Sequence, residues 1–457
     1  MKYVHLIGIG GTGISSIARV LLEKGYTVSG SDRTLSPLAL DLKQAGVTVF
    51  EGHAAGNVQG ANLVVRSSAI SDDNIEVIAA RQAGIPVQKR AEFLNTLLDD
   101  YQTLAVAGSH GKTTTSTMLA FSLDQLGKQP GFILGGVSSN LGTNARAGGG
   151  TYFVIEADEY DYMFLGLHPA VILLTNVEYD HPDCFPTVEN YRAAFKSFVK
   201  QLKPGGTLVT NADQQGAASM CSAIPANAGS ISYGLTNTAD IMARNMRTNA
   251  SGGFSFEVIE RVTGASLASV QLQVPGEHNV RNALGVLAVH YVLGNPLPDA
   301  AEALSAFTGS GRRFEVVGEV NGITIIDDYA HHPTKIRATL AAARARYPGR
   351  RVIAVWQPHT YSRTIALEDD FAASFSDADQ VIVTGIYASR EKEQPYSMDQ
   401  LLNKITGSAA RHIADLSGVS AYLAQILQPG DVMIVLSAGD ADRVCREVQL
   451  LIKERKG

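Results

Sequence analysis

Short apolar runs alternate with amphipathic segments along most of the chain. From residue 1 to about 98, YVHLIGI predicts a buried strand, GISSIARVLLEKG an amphipathic helix closed by Gly25, and YTVSGSD a second strand. GVTVF, ANLVVRSSA and IPVQ predict further strands, with NIEVIAARQAG a helix before the last of them. A second series opens with TLAVAGSHGKTTTSTMLAFSLDQLG, read as strand, loop and helix. YFVIEADEYD and AVILLTNVEYDH follow as nearly unbroken apolar strands, the pattern of central strands buried on both faces. From about 228 to 275, GGFSFEVIER and ASVQLQVPG alternate instead, which predicts a small antiparallel patch, and EHNVRNALGVLAVHYVLG is then a helix. A third series starts near Gly311, with a hairpin turning at Asn321-Gly322 and strands in RRVIAVWQP, QVIVTGIYA and DVMIVLSAG. Strands alternating with helices predict parallel sheets covered on both faces, so three α/β domains are expected over 1–98, 99–310 and 311–457.

Composition narrows the function. A net charge of −6 argues against general affinity for nucleic acid. Cys184, Cys221 and Cys445 lie too far apart for a metal-ligand spacing, and so few cysteines in so long a chain suit a reducing cytoplasm. The N-terminus lacks a signal-peptide pattern, and no apolar run reaches the length of a membrane helix, so no membrane insertion is expected.

Two glycine loops carry the chemistry. In AVAGSHGKTTTS, Gly108, Ser109, His110, Gly111, Lys112, Thr113 and Thr114 join a strand to a helix start. Backbone N–H groups there can cradle phosphate, Lys112 can neutralise it, and the Thr113 hydroxyl can reach Mg²⁺. The usual spacing between the two loop glycines is absent, since position 106 is Val. Three successive threonines, poor helix formers, nevertheless suggest that hydroxyls are wanted. Acids at the ends of the next strands (Glu156, Asp158, Glu159, Asp161 and Asp180, with His181) favour a metal beside that loop, without selecting among themselves. The other loop, GIGGTG at 8–13, fits a dinucleotide fingerprint with Asp32 ending the next strand, but its geometry suits any pyrophosphate.

GIGGTGISSIA, GSHGKTTT, EADEYD, NVEYDH, EHNVRNAL, GRRFE, DDYAHHPTKI and QPHTYSR occur in the order seen in the Mur ligases, and the chain resembles that family from residue 5 to about residue 440. The resemblance implies a cytoplasmic ATP- and Mg²⁺-dependent enzyme of peptidoglycan synthesis, a monomer or weak homodimer. It would join L-alanine to the lactyl carboxylate of UDP-N-acetylmuramate through an acyl phosphate. It implies a Rossmann-like UDP-sugar domain, a P-loop ATPase-like central domain and a Rossmann-like amino-acid domain. Thr113, Glu156 and His181 become the expected metal ligands; Asn279, Asn282, Arg313 and Asp327 are expected around the nucleotide, with His278 by the adenine. Gly10, Gly11, Thr12, Gly13, Asp32 and Ser67 are expected to hold the UDP-sugar, and Tyr329, His331, His332, His359 and Arg363 the amino acid. Lys112, Glu156, His181, His331 and Arg363 are the expected catalytic group.

Two departures stand out: Thr360 occupies a position where some relatives carry Arg, and Phe195 aligns with the carbamylated lysine of other Mur ligases, with Lys196 one place on. The competing readings are a sister ligase adding a peptide, an NAD-dependent oxidoreductase and a non-catalytic nucleotide switch.

Overall fold

The computed structural model describes residues 2–389 and 391–454, so position 1 and positions 455–457, at the outer ends of the first and third expected segments, lie outside it. Three sheets organise three α/β domains.

The first sheet is wholly parallel, with strands Tyr3–Ile7, Thr27–Asp32, Thr48–Glu51, Leu63–Arg66 and Val87–Lys89 standing in the order third, second, first, fourth, fifth. Tyr3–Ile7 is central, and Val4, Leu6 and Ile7 are buried in it, which is why it reads as one apolar run. The order of strands reverses beside it, and an open α/β sheet binds ligands at the carboxyl ends next to such a reversal. The first glycine loop lies there. Helix Thr12–Glu23 then buries Ile14, Ile17, Ala18 and Leu21, one face at helical spacing. Two further helices, Pro37–Gln44 and Arg90–Leu98, were not evident from periodicity.

The second sheet has ten strands. Gln102–Ala107, which leads into the phosphate loop, lies between Tyr152–Glu156 and Val171–Leu174, parallel to both. The alternating segment departs from expectation in one respect. Gly229–Gly234 pairs in parallel with Thr207–Asn211, and Ile241–Thr248 joins its end in parallel before the antiparallel strands Phe254–Glu260 and Ser266–Gln271 begin. The antiparallel patch therefore continues the main sheet and starts later than about 228. Helix Lys112–Gln125 is buried almost all round, including Thr115, Ser116, Thr117 and Ser122. Ser116 and Thr117 donate to the Thr113 carbonyl at 3.1 and 2.6 Å, and Ser122 bonds His290 of helix Glu277–Val292 at 2.8 Å. Those internal bonds let a hydroxyl-rich helix sit inside a core.

The third sheet has six strands. Its hairpin, Glu315–Val320 with Ile323–Asp328, turns at Asn321 and Gly322 with φ of 52° and 77°, the left-handed pair of a type I′ turn. The edge strand Ala409–His412 has no apolar run to announce it and is mostly exposed. Gly322→Ala is expected to destabilise this domain by about 1 kcal/mol. A Cβ there would meet Pro429 no closer than 3.5 Å, so the cost is that of the backbone. Trp356, the single tryptophan, is fully buried in the same domain, so its fluorescence during denaturant unfolding measures the change.

Candidate active site

A cleft of about 1770 Å³ opens where the three domains meet, larger than a pocket for one small ligand. Thr12, Gly13, Ser16 and Arg90 line it from the first domain, the phosphate loop from the second, and Asp328, Tyr329, His331, His359 and Arg363 from the third.

The phosphate loop owes its shape to two glycines. Gly108 has φ 136°, and a Cβ there would fall 2.1 Å from Thr175 Oγ1; Gly111 has φ 80° and precedes the helix with no side-chain cap. The helix's first N–H groups are thus left for a ligand. Ser109 is turned inward, donating to the Glu178 carbonyl at 2.6 Å, and His110 N donates to Asn176 Oδ1 at 2.9 Å. Lys112, Thr113 and Thr114 line the cleft. Lys112 Nζ rests 2.5 Å from Glu159 Oε2, and Glu159 is fully buried. Burial raises Glu159 to about 7. Burial also opposes the charge on Lys112, but Glu159, Asp158 and Glu156 outweigh it and hold the ammonium protonated beyond the usual lysine range.

Thr113 Oγ1 donates to Glu156 Oε1 at 3.2 Å, and Glu156 Oε2 accepts from Gly135 N at 2.8 Å. A hydroxyl and a carboxylate are the oxygen donors that Mg²⁺ takes from protein, so these two residues fit such an ion. His181 has φ 58° and places Nε2 3.7 Å from Glu159 Oε1; burial lowers it to about 4, which leaves a neutral imidazole. Arg313 reaches across from the third domain to Thr113 Oγ1 at 3.2 Å and lies over the Tyr329 ring at 4.7 Å. Asn282 donates to Asn279 Oδ1 at 3.1 Å, and its own Oδ1 sits 3.0 Å from where a Cβ on Gly111 would stand. His278 is half-buried and lines the cleft.

Asp327 is placed otherwise than expected. It accepts from Arg312 Nε at 2.9 Å and is not among the residues lining the cleft. Its neighbour Asp328 lines the cleft, accepts from Phe314 N at 2.7 Å, and is raised to about 6 by burial. Successive strand residues point to opposite faces, and of these two acids only Asp328 lines the cleft.

Of the residues expected around the amino acid, Tyr329, His331, His359 and Arg363 lie together. His331 Nδ1 lies 2.8 Å from the Tyr329 carbonyl, which can only accept, so this nitrogen donates and Nε2 keeps its lone pair. Burial holds His331 well below the usual histidine range, and its ring lies 5.7 Å from that of His359. Arg363 is 3 % exposed and donates through Nε and Nη2 to Asp180 Oδ1 at 2.9 and 2.8 Å. Thr360, between His359 and Arg363, has φ 66°, a strained value for a β-branched residue. His332 does not line the cleft. It caps helix Pro333–Arg346, Nδ1 accepting from Thr334 N at 3.3 Å, which leaves the proton on Nε2. Its ring is 4.4 Å from His110, and Glu178 accepts from Thr334 Oγ1 at 2.6 Å and meets His110 Nε2 at 3.1 Å. Those contacts clasp the second and third domains together. The His332 tautomer offers the cluster an N–H rather than a lone pair for metal.

On the sugar side, Thr12 and Gly13 line the cleft, whereas Gly10, Gly11, Asp32 and Ser67 do not. Asp32 Oδ2 accepts from Gly10 N at 2.8 Å, and Ser67 Cβ would be 2.9 Å from a Cβ on Gly8. In this structure both shape the loop. Phe195 is fully buried among Phe164 and Tyr191, and Lys196 is exposed. Sequence reading missed Arg90 and Lys335, both lining the cleft. Arg90 opens a helix with no periodic signal, and Lys335 lies in DDYAHHPTKI with no local pattern that singles it out. Burial, with Lys112, Arg363 and Arg313 nearby, lowers Lys335 to about 8 against the pull of Asp180.

Comparison with known proteins agrees with this architecture. Residues 3–102 match the model of the Mur ligase family catalytic domain, 106–290 the Mur ligase middle domain and 312–439 the Mur ligase glutamate ligase domain. The chain is 42 % identical to a UDP-N-acetylmuramate–L-alanine ligase of Roseiflexus sp. strain RS-1, over 97 % of each chain. It is 39 % identical to one of Alkaliphilus metalliredigens, over 100 % of this chain and 98 % of that one. Among solved structures, the UDP-N-acetylmuramate–alanine ligase of Thermotoga maritima matches with a TM-score of 0.82 at 27 % identity, each chain covered completely. A murein peptide ligase of Psychrobacter arcticus matches with a TM-score of 0.72 at 27 % identity, over 99 % of each. With full-length relatives at this identity, the chain belongs to the Mur ligase family.

Proposed function

We infer that the protein ligates L-alanine to the lactyl carboxylate of UDP-N-acetylmuramate, converting ATP to ADP and phosphate, as a step of peptidoglycan synthesis. The observation that carries this reading is the single cleft into which both glycine loops open, lined on its third side by His331, His359 and Arg363. One loop suits a nucleotide sugar's pyrophosphate, the other a nucleoside triphosphate. Segments 1–98, 99–310 and 311–457 then hold the sugar nucleotide, ATP and the amino acid. A cytoplasmic setting accords with the need for ATP; among the described residues no helix is long and apolar enough to cross a membrane.

A carboxylate resists attack by an amine, so the γ-phosphoryl group is first moved onto it. This transfer between two anions depends mainly on positioning and charge neutralisation. A divalent ion held by Thr113 and Glu156, with His181 beside them, would supply part of that neutralisation. Lys112 supplies more once it turns from Glu159 to the phosphates, and Arg313 adds a guanidinium from the third domain. Arg363, its orientation set by Asp180, meets the alanine carboxylate. His331 offers the Nε2 lone pair to the amine proton. Closure of three domains over one cleft keeps water from the acyl phosphate.

Phosphate release measured with ATP and UDP-N-acetylmuramate over a panel of amino acids tests the reading. Release is expected with L-alanine alone. Release with a tripeptide but without alanine would assign the chain to the peptide-adding branch instead.

A further inference from the structure

Arg90 is the one cleft-lining side chain of the first domain that carries charge, and nothing in the described chain ion-pairs with it. Its Nε is buried without a hydrogen-bond partner. Asp158 and Glu156 reach it only through their field. Arg90 is half-buried, and a charge partly withdrawn from water without a counter-ion is costly, so an anionic ligand at this place would be stabilising.

Its position is fixed by the glycine loop. A Cβ on Gly13 would fall 2.1 Å from Arg90 Nη1 and 2.3 Å from Cζ, so the guanidinium occupies the space beside the bare backbone there. That contact explains why the last glycine of GIGGTG cannot bear a side chain while Arg90 keeps this pose. Arg90 begins helix Arg90–Leu98, whose N-cap is tied by Glu92 accepting from Lys89 N at 2.9 Å. The guanidinium thus stands on a tethered helix start. The pyrophosphate loop touches it through Gly13, and Glu156 and Asp158, which line the same cleft, act on it through their field.

We propose that Arg90 is a positioning residue that receives the carboxylate of the sugar-nucleotide substrate and holds it between the two loops for transfer. This rests on the sugar-nucleotide reading above. A guanidinium suits that role because it is always charged and its planar donors match a carboxylate's two oxygens. Burial depresses its proton affinity, consistent with a desolvated group that gains most from an anion.

Binding of two nucleotide sugars separates the possibilities. UDP-N-acetylmuramate has the lactyl carboxylate; UDP-N-acetylglucosamine shares its pyrophosphate but lacks that group. Arg90→Ala is expected to weaken the first by about 10- to 100-fold, the range of a hydrogen bond to a charged group, and to leave the second within about twofold. Retained binding of the second is also the control for folding. Arg90→Gln, close in size and neutral, should repeat the pattern. Gly13→Ala, which displaces the guanidinium, should lower affinity for UDP-N-acetylmuramate without adding to the loss in the Arg90→Ala background. Equal weakening of both ligands in Arg90→Gln would make Arg90 a pyrophosphate contact and overturn the proposal, as would no change in either. A wild-type chain that binds neither sugar would overturn the functional reading itself, and this proposal with it.

Discussion

Lys112→Ala is expected to reduce phosphate release by about a thousandfold or more while UDP-N-acetylmuramate still binds. The ammonium is the only lysine charge on the phosphate loop, and a helix N-terminus alone cannot offset the charge that gathers on a transferring phosphoryl group. The structure also indicates why the variant should stay folded. Lys112 now pairs with a fully buried Glu159, and removing one partner of a buried pair ordinarily destabilises strongly. Glu159, however, is already raised to about 7 by burial, so it takes up a proton near neutral pH instead of remaining a bare charge. In the proposed reaction the wild-type enzyme would meet the same situation when Lys112 turns from Glu159 to a phosphate. Isothermal titration with the sugar nucleotide and a phosphate-release assay give the two readings. Near-normal turnover in the variant would show that charge neutralisation comes from elsewhere, with Arg313 the next group to replace.

What the sequence revealed and what it hid divide along a physical line. Glycine loops, the Asn321-Gly322 turn and strands such as AVILLTNV are patterns of neighbouring residues, and local rules read them. Pairings between distant segments leave no such mark. Lys112 meets Glu159 across 47 residues, and Arg363 meets Asp180 across 183. Arg90 fits Gly13 only because the first sheet brings the start of a later helix over the loop. Asp327 and Asp328 illustrate a subtler limit. Both end a fully buried strand, so no alternation of polar and apolar residues shows which one faces the cleft. Gly10 and Asp32 fitted the fingerprint of a ligand site, yet Asp32 spends one oxygen on the Gly10 amide and the other on Arg33 N. A motif shows that a loop is shaped for an anion; it does not tell which of its residues touch the anion and which hold the shape.

Arg363→Ala is expected to raise the alanine requirement by about 10- to 100-fold, far more than that for ATP, and to destabilise the protein by about 3–5 kcal/mol. The two effects have different origins. The first is loss of a carboxylate partner. The second follows from Asp180, which is 1 % exposed and would keep a buried charge without its guanidinium. Burial pushes Asp180 up, but Arg363 first, then His181, His332 and Lys335, bring it well below the usual carboxylate range. Because its folded-state pKa is lowered, the stability it contributes is present above the ordinary aspartate value and is lost only as pH falls through the lowered one. Without Arg363 the largest of the lowering influences is gone, and the folded-state pKa is expected to rise above the unfolded value under the pressure of burial. The variant's deficit is then largest at neutral pH and shrinks on acidification to about pH 5, where the wild type is still unaffected. Urea unfolding at the two pH values measures this. A deficit that does not change with pH would mean that Asp180 is not the group left exposed to the loss. Arg363→Lys completes the argument: a lysine restores the charge beside Asp180 but not the planar fork, so stability should recover more than alanine binding. Equal recovery of both would reduce Arg363 to a counter-ion for Asp180 and leave the amino-acid carboxylate to His359 and its neighbours.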